Sequence, residues 1–203
     1  MTDLQFEHKF VEGDPSAPVL LLLHGTGGGP DDLVGLAGEL NPKATLLAPA
    51  GPVSEHGAAR WFRRLREGVF DTQDVIFRAN QLADFVLEAR QLYDLGDRRL
   101  VAVGFSNGAN IAAATTLLRP DAVTEAILFA AMSPVPEPPE RELRRTRVFL
   151  SNGERDPMAP LASTEQYVDF LRERSAEVTE HRHAGGHQIT LEGLAAAKAW
   201  LVV

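Results

Sequence analysis

Apolar residues recur along this chain in two rhythms, and their alternation outlines a fold. Unbroken apolar runs stand at Ala17-Pro-Val-Leu-Leu-Leu-Leu23, Ala44-Thr-Leu-Leu-Ala48, Arg99-Leu-Val-Ala-Val103, Ala126-Ile-Leu-Phe-Ala130 and Arg147-Val-Phe-Leu-Ser151. Each is short and reads as a strand buried on both faces. Between Thr72 and Tyr93 the rhythm changes: Val75, Ile76, Ala79, Leu82, Ala83, Val86 and Ala89 follow i, i+3, i+4 spacing. That predicts a long amphipathic helix, with Asp71 or Thr72 placed to cap it. Shorter helical stretches are expected at Asp31 to Leu40, Asn107 to Leu118, Pro160 to Arg174 and about Leu191 to Leu201. Leu4, Phe6, His8 and Phe10 alternate with polar residues, as in a half-exposed edge strand, and a last strand is expected from Val178 to His183. Strands alternating with helices imply an α/β protein with a mostly parallel sheet of about seven strands, covered on both faces.

Two stretches break the rhythm and are expected to be long loops. Ala50 to Phe70 contains Arg60-Trp-Phe-Arg-Arg64, and Ser133 to Glu140 contains Pro134, Pro136, Pro138 and Pro139. Loops this long in a compact domain are commonly functional, the alternative being surface excursions. No repeat or linker interrupts residues 1–203, which are expected to form one domain with no space for a large lid.

Composition narrows the function classes. Of 203 residues, 44% are apolar, enough for one core, and the net charge is −8 without a basic cluster. Nucleic acid and anionic membranes are therefore not expected partners. The absence of cysteine excludes disulfides, a cysteine-based zinc site and a thiol nucleophile. The segment from Met1 to Phe10 lacks the basic and apolar regions of a signal peptide, and no apolar run is long enough to span a bilayer. A cytoplasmic protein without stable membrane insertion is expected.

The chemistry is concentrated in Gly104-Phe105-Ser106-Asn107-Gly108, between an expected strand and an expected helix. Gly-x-Ser-x-Gly in that setting is a nucleophile elbow, where a strained turn lifts the serine hydroxyl clear of the sheet. Such a serine needs a base to take its proton and an acid to orient that base, both later in the chain. Asp156, 50 residues beyond Ser106, and His187, 31 further on, each follow an expected strand in this order. Glu154 is the nearest rival acid. His8 sits on the edge strand, His56 in a polar loop, and His24 is expected to shape the turn after Leu23. His181 and His183 form an HxH pair with no carboxylate-rich partner, so no metal site is expected.

An oxyanion needs two preorganised N–H donors. One is expected from Asn107, the other from Thr26 within His24-Gly25-Thr26-Gly27-Gly28-Gly29. The same glycines resemble a dinucleotide turn, but Pro30 occupies the slot of the last fingerprint glycine. Trp61, Phe62 and Phe70 in the first long loop, with Met158 and Pro134, are expected to line a small apolar cleft near Ser106. The competing role for the aromatics is to pin the loop onto the core.

His24 to Gly29, Gly104 to Ala112, Asp156-Pro157 and Gly185-Gly-His187 together resemble the phospholipase/carboxylesterase family of small α/β-hydrolases. Arg60-Trp-Phe-Arg-Arg64 and Gly68-Val-Phe-Asp71 are similar to its bacterial carboxylesterase branch, which includes hydroquinone-stress-induced hydrolases. The resemblance implies an α/β-hydrolase fold, no metal or cofactor, and hydrolysis of carboxylic esters, with a homodimer as a common assembly. Members act on short-chain esters, lysophospholipids or acyl-protein thioesters, so the resemblance leaves the substrate open. With no lid and few exposed-looking apolar stretches, a small-molecule ester is expected, with lysophospholipids or acyl-thioesters as the longer-chain alternative. A non-catalytic ligand-binding module on the same fold is the reading from another class, and a dinucleotide-dependent oxidoreductase is a third.

Overall fold

The computed structural model describes residues 4–202. Residues 1–3, part of the segment read for a signal peptide, and residue 203 lie outside the described residues, as do the outermost ends of the expected 1–203 domain. In chain order the elements begin β1 (His8–Val11), β2 (Val19–Leu23), α1 (Val34–Leu40) and β3 (Thr45–Pro49). Four short strands follow: β4 (Val53–Glu55), β5 (Ala58–Arg60), β6 (Arg64–Arg66) and β7 (Val69–Phe70). Then come α2 (Thr72–Leu92), β8 (Leu100–Phe105), α3 (Asn107–Leu118) and β9 (Glu125–Phe129). The chain closes with β10 (Arg147–Gly153), α4 (Leu161–Glu173), β11 (Glu177–His183) and α5 (Leu191–Val202).

The main sheet has seven strands in the order β1-β3-β2-β8-β9-β10-β11. Only β1 runs antiparallel, against β3; the other pairings are parallel. The unbroken apolar runs explain the layering, because successive strand residues point to opposite faces. Leu21 and Leu23 of β2, Ala102 of β8, Leu128 of β9 and Leu150 of β10 join one core with α2, α3 and α4. Leu20 and Leu22, Val101 and Val103, Ile127 and Phe149 join the other, beneath α1 and α5. Each central strand thus serves two cores, which is why its sequence shows no polar alternation.

Asp71 caps α2 as expected, its carboxylate accepting from the Asp74 amide at 3.2 Å. Between Gly51 and Phe70 the structure departs from the expected loop and folds two hairpins, β4–β5 and β6–β7. The first turns through His56 and Gly57, with φ of 51° and 87°. Two successive residues at positive φ make the tight turn whose twist matches a hairpin. The proline-rich stretch 133–140 contains no helix or strand. No described helix is long and apolar enough to cross a membrane.

Candidate active site

Ser106 sits between β8 and α3 at φ 54° and ψ −117°, a conformation that costs an L-residue on the order of 1–3 kcal/mol. The surroundings impose it. The Ser106 amide donates to the Phe129 carbonyl at 2.9 Å, and its own carbonyl receives the Asn110 amide at 2.9 Å. A Cβ on Gly104 would come within 2.6 Å of the Ala109 amide nitrogen, and one on Gly108 would overlap the Leu23 carbonyl. Both glycines are required because α3 is pressed against the ends of β8 and β2. The serine hydroxyl makes no capping bond to its own helix.

That hydroxyl instead lies 2.8 Å from His187 Nε2, while His187 Nδ1 lies 2.7 Å from Asp156 Oδ2. A carboxylate only accepts, so Nδ1 carries the ring proton and Nε2 is left to receive the Ser106 hydrogen. The Asp156 side chain is enclosed, and its Oδ1 accepts from the amides of Met158 at 2.8 Å and Ala159 at 3.0 Å. Glu154, the rival acid, is exposed, and its backbone amide donates to the His183 carbonyl. The loops after β10 and β11 meet closely: Arg155 donates to Gly185, and a Cβ on Gly153 would overlap the Gly186 carbonyl. Their closeness brings Asp156 and His187, 31 residues apart, into contact.

The Thr26 turn and Asn107, at the start of α3, line one cavity with Ser106 and His187. Among the described residues, neither the Thr26 nor the Asn107 amide donates to a protein atom. Trp61 joins the two turns: its ring Nε1 donates to the His24 carbonyl at 2.9 Å, and its amide donates to Asn107 Oδ1 at 2.8 Å. Gly27, at φ 80°, donates to the Ala59 carbonyl of β5. His24 is buried as a shaper of this turn, donating from Nδ1 to the Gly25 carbonyl and accepting at Nε2 from the Gly51 amide. Burial holds its pKa below the usual histidine range, partly offset by the Gly25 bond and by Asp32.

A cavity of about 450 Å³ opens over Ser106, Asn107, Thr26 and His187. Phe70 and Met158 line it, together with Arg60, Arg64 and Met132. Trp61 and Phe62 do not, and the expectation for them is corrected: they are 1% and 0% exposed and belong to the core. Trp61 packs by Phe6 and His24, and Phe62 meets the edge of Phe70 at 4.9 Å between ring centres. The hairpins fold these aromatics inward while presenting polar residues to the cleft. Pro134 faces a neighbouring groove of about 230 Å³ that shares Gly68, Phe70 and Met132 with the cavity. Sequence reasoning passed over Arg60 and Arg64 as lining residues, although both flank the aromatics in the motif it singled out. His181 Nδ1 lies 3.2 Å from Ser151 Oγ, and His183 Nδ1 accepts from the Gly185 amide. Among the described residues no group of three or more histidine, aspartate or glutamate side chains is arranged to hold a metal.

Known proteins resemble this chain in sequence and in fold. The putative hydrolase MhqD of Bacillus subtilis (strain 168) is 38% identical over 194 residues, spanning 96% of both chains. The crystal structure of the Bacillus cereus carboxylesterase superposes with a TM-score of 0.95 at 40% identity, covering 99% of this chain and 95% of that one. A carboxylesterase from Mesorhizobium loti gives 0.91 at 29% identity, over 100% of this chain and 97% of the other. The family model for phospholipase/carboxylesterase matches residues 8–203, from edge strand β1 onward. With model, relatives and sheet topology in agreement, the chain belongs to the phospholipase/carboxylesterase family of α/β-hydrolases.

Proposed function

We propose that this hydrolase is a serine carboxylesterase acting on small soluble carboxylic esters through an acyl-enzyme. The observation that carries the reading is the unbroken relay Ser106–His187–Asp156, at 2.8 and 2.7 Å, opening into a cavity of about 450 Å³. Ser106 Oγ attacks the ester carbonyl carbon as His187 Nε2 takes its proton. Asp156 keeps the ring proton on Nδ1 and stabilises the imidazolium. The oxyanion is received by the Thr26 and Asn107 amides, the latter at the positive end of α3. Collapse expels the alcohol, protonated by His187. A water deprotonated by the same nitrogen then attacks the acyl-enzyme, and the acid leaves with Ser106 restored.

Initial rates on p-nitrophenyl acetate, butyrate, octanoate and palmitate test this, with Ser106→Ala as the comparison. The two shorter esters are expected to turn over fastest, and Ser106→Ala to lower kcat by about 10⁴-fold or more without changing Tm. Turnover that survives in Ser106→Ala, or a wild type that neither hydrolyses these esters nor takes a fluorophosphonate label, overturns the proposal. One observation favours longer acyl chains, as in a lysophospholipase or acyl-thioesterase: the groove past Phe70 and Met132 extends the cavity toward Pro134. A rate maximum at octanoate or beyond would select that reading.

A further inference from the structure

Arg60, at the end of β5, is charged and buried beside the nucleophile, yet the chemistry above has no use for it. Its side chain is 5% exposed and lines the same cavity as Ser106 and His187. Its Nε donates to the Phe62 carbonyl at 3.3 Å and its Nη1 to Thr26 Oγ1 at 2.9 Å. A guanidinium presents five N–H donors in a rigid fork. Among the described residues the Nη2 donors meet no protein acceptor. The nearest carboxylate, Glu55, places Oε2 at 3.5 Å from Arg60 Nη1 but Oε1 at 3.0 Å from Arg64 Nε. Two guanidiniums therefore share one carboxylate, and a positive charge is in excess at the cavity wall. Glu67 also lines the cavity, but it is exposed at the tip of the β6–β7 hairpin, where solvent and salt screen it. Burial lowers the Arg60 pKa, an effect that Glu55 partly offsets and Arg64 reinforces.

A buried, incompletely paired guanidinium with free donors matches a planar anion, which it can bind through two parallel hydrogen bonds. Phe70, Met132 and Met158 line the same cavity and give it an apolar portion that suits a short carbon skeleton. We infer that Arg60, assisted by Arg64, receives a carboxylate carried by the ester, so that the preferred substrates are half-esters of dicarboxylic acids or esters of carboxylate-bearing alcohols. The inference rests on Ser106 being the nucleophile and adds the substrate's charge.

Two pairs of esters, in each of which methylation removes that charge, test it. Monomethyl glutarate against dimethyl glutarate, followed by acid release, places the carboxylate on the acyl side. 4-Acetoxybenzoate against methyl 4-acetoxybenzoate, followed by phenol release, places it on the leaving group. In at least one pair the anionic member is expected to have a kcat/KM about 10- to 100-fold higher, the range of a charge-assisted hydrogen bond. Arg60→Gln should bring that ratio close to one, and added salt should narrow it in the wild type. The ratio is the readout because loss of the Thr26 bond alone would lower both rates together. A wild type that hydrolyses the neutral members equally well overturns the inference and leaves the esterase intact. So does an Arg60→Gln enzyme with both rates reduced and the ratio kept. If Arg60→Gln does not fold, or no ester in either pair is hydrolysed, calorimetric titration of glutarate into Ser106→Ala decides. Binding that weakens with salt supports the inference, and no heat of binding overturns it. Fluorophosphonate labelling of the wild type reports separately on Ser106.

Discussion

The two oxygens of Asp156 face different partners, Oδ1 the amides of Met158 and Ala159 and Oδ2 the His187 ring. This division predicts what Asp156→Asn does. Two backbone N–H groups hold an acceptor at the Oδ1 position, so the new NH₂ is forced toward His187 Nδ1. Nδ1 must then accept, and the ring proton moves to Nε2, where it faces Ser106 and cannot take its hydrogen. Turnover is expected to fall by about 10⁴-fold near neutral pH with Tm little changed. A loss of less than ten-fold in steady-state kcat would show that the tautomer is not controlled this way. The residues of this relay were legible in the sequence because each stands in a local pattern: glycines around Ser106, Asp-Pro after one strand, glycines before His187. Arg60 was not legible as a lining residue. Its place depends on Thr26 and Glu55, which meet it only once the hairpins have folded.

Among the elements, the large ones were legible and the small ones were not. Strands buried on both faces advertise themselves as apolar runs, and α2 by its period. The strands β4 to β7 have two or three residues each, many of them polar, too few to express a period. Expected helix Asp31 to Leu40 begins only at Val34, because turns occupy the residues after Pro30. The same missing information misplaced Trp61 and Phe62, since an aromatic residue in an unpatterned segment gives no sign of which way it turns. Their burial has a measurable consequence. Trp61→Ala is expected to cost about 3–5 kcal/mol in urea unfolding, as a large core truncation does. Met158→Ala, at a position 47% exposed on the cavity wall, is expected to cost about 1 kcal/mol or less and to act on KM. Similar stability losses for both would contradict the separation of core from cleft.

Across the whole molecule, the three parts of the relay come from very different depths in the sheet. Ser106 follows β8, the middle strand, and Asp156 follows β10, next to the edge. His187 lies beyond β11, which among the described residues pairs in the sheet with β10 alone and whose residues are a mixture of exposed and half-buried. Glu177, Glu180 and Arg182 line that edge, and such charges discourage pairing with another chain. Edge elements open at lower free energy than central ones. The proposed base, His187, is therefore expected to sit in the part of the molecule that opens first. Hydrolysis should vanish at a urea concentration below the one that disperses the central sheet. The two tryptophans can time these events separately. Trp200, on α5 against Phe149 of β10, reports on the strand beside the edge, and Trp61, between β5 and β6, on the interior beside Ser106. In Trp61→Phe and Trp200→Phe proteins, loss of activity should follow the Trp200 emission and precede the Trp61 emission. Coincidence of all three curves would instead describe a molecule whose edge and centre fail as one.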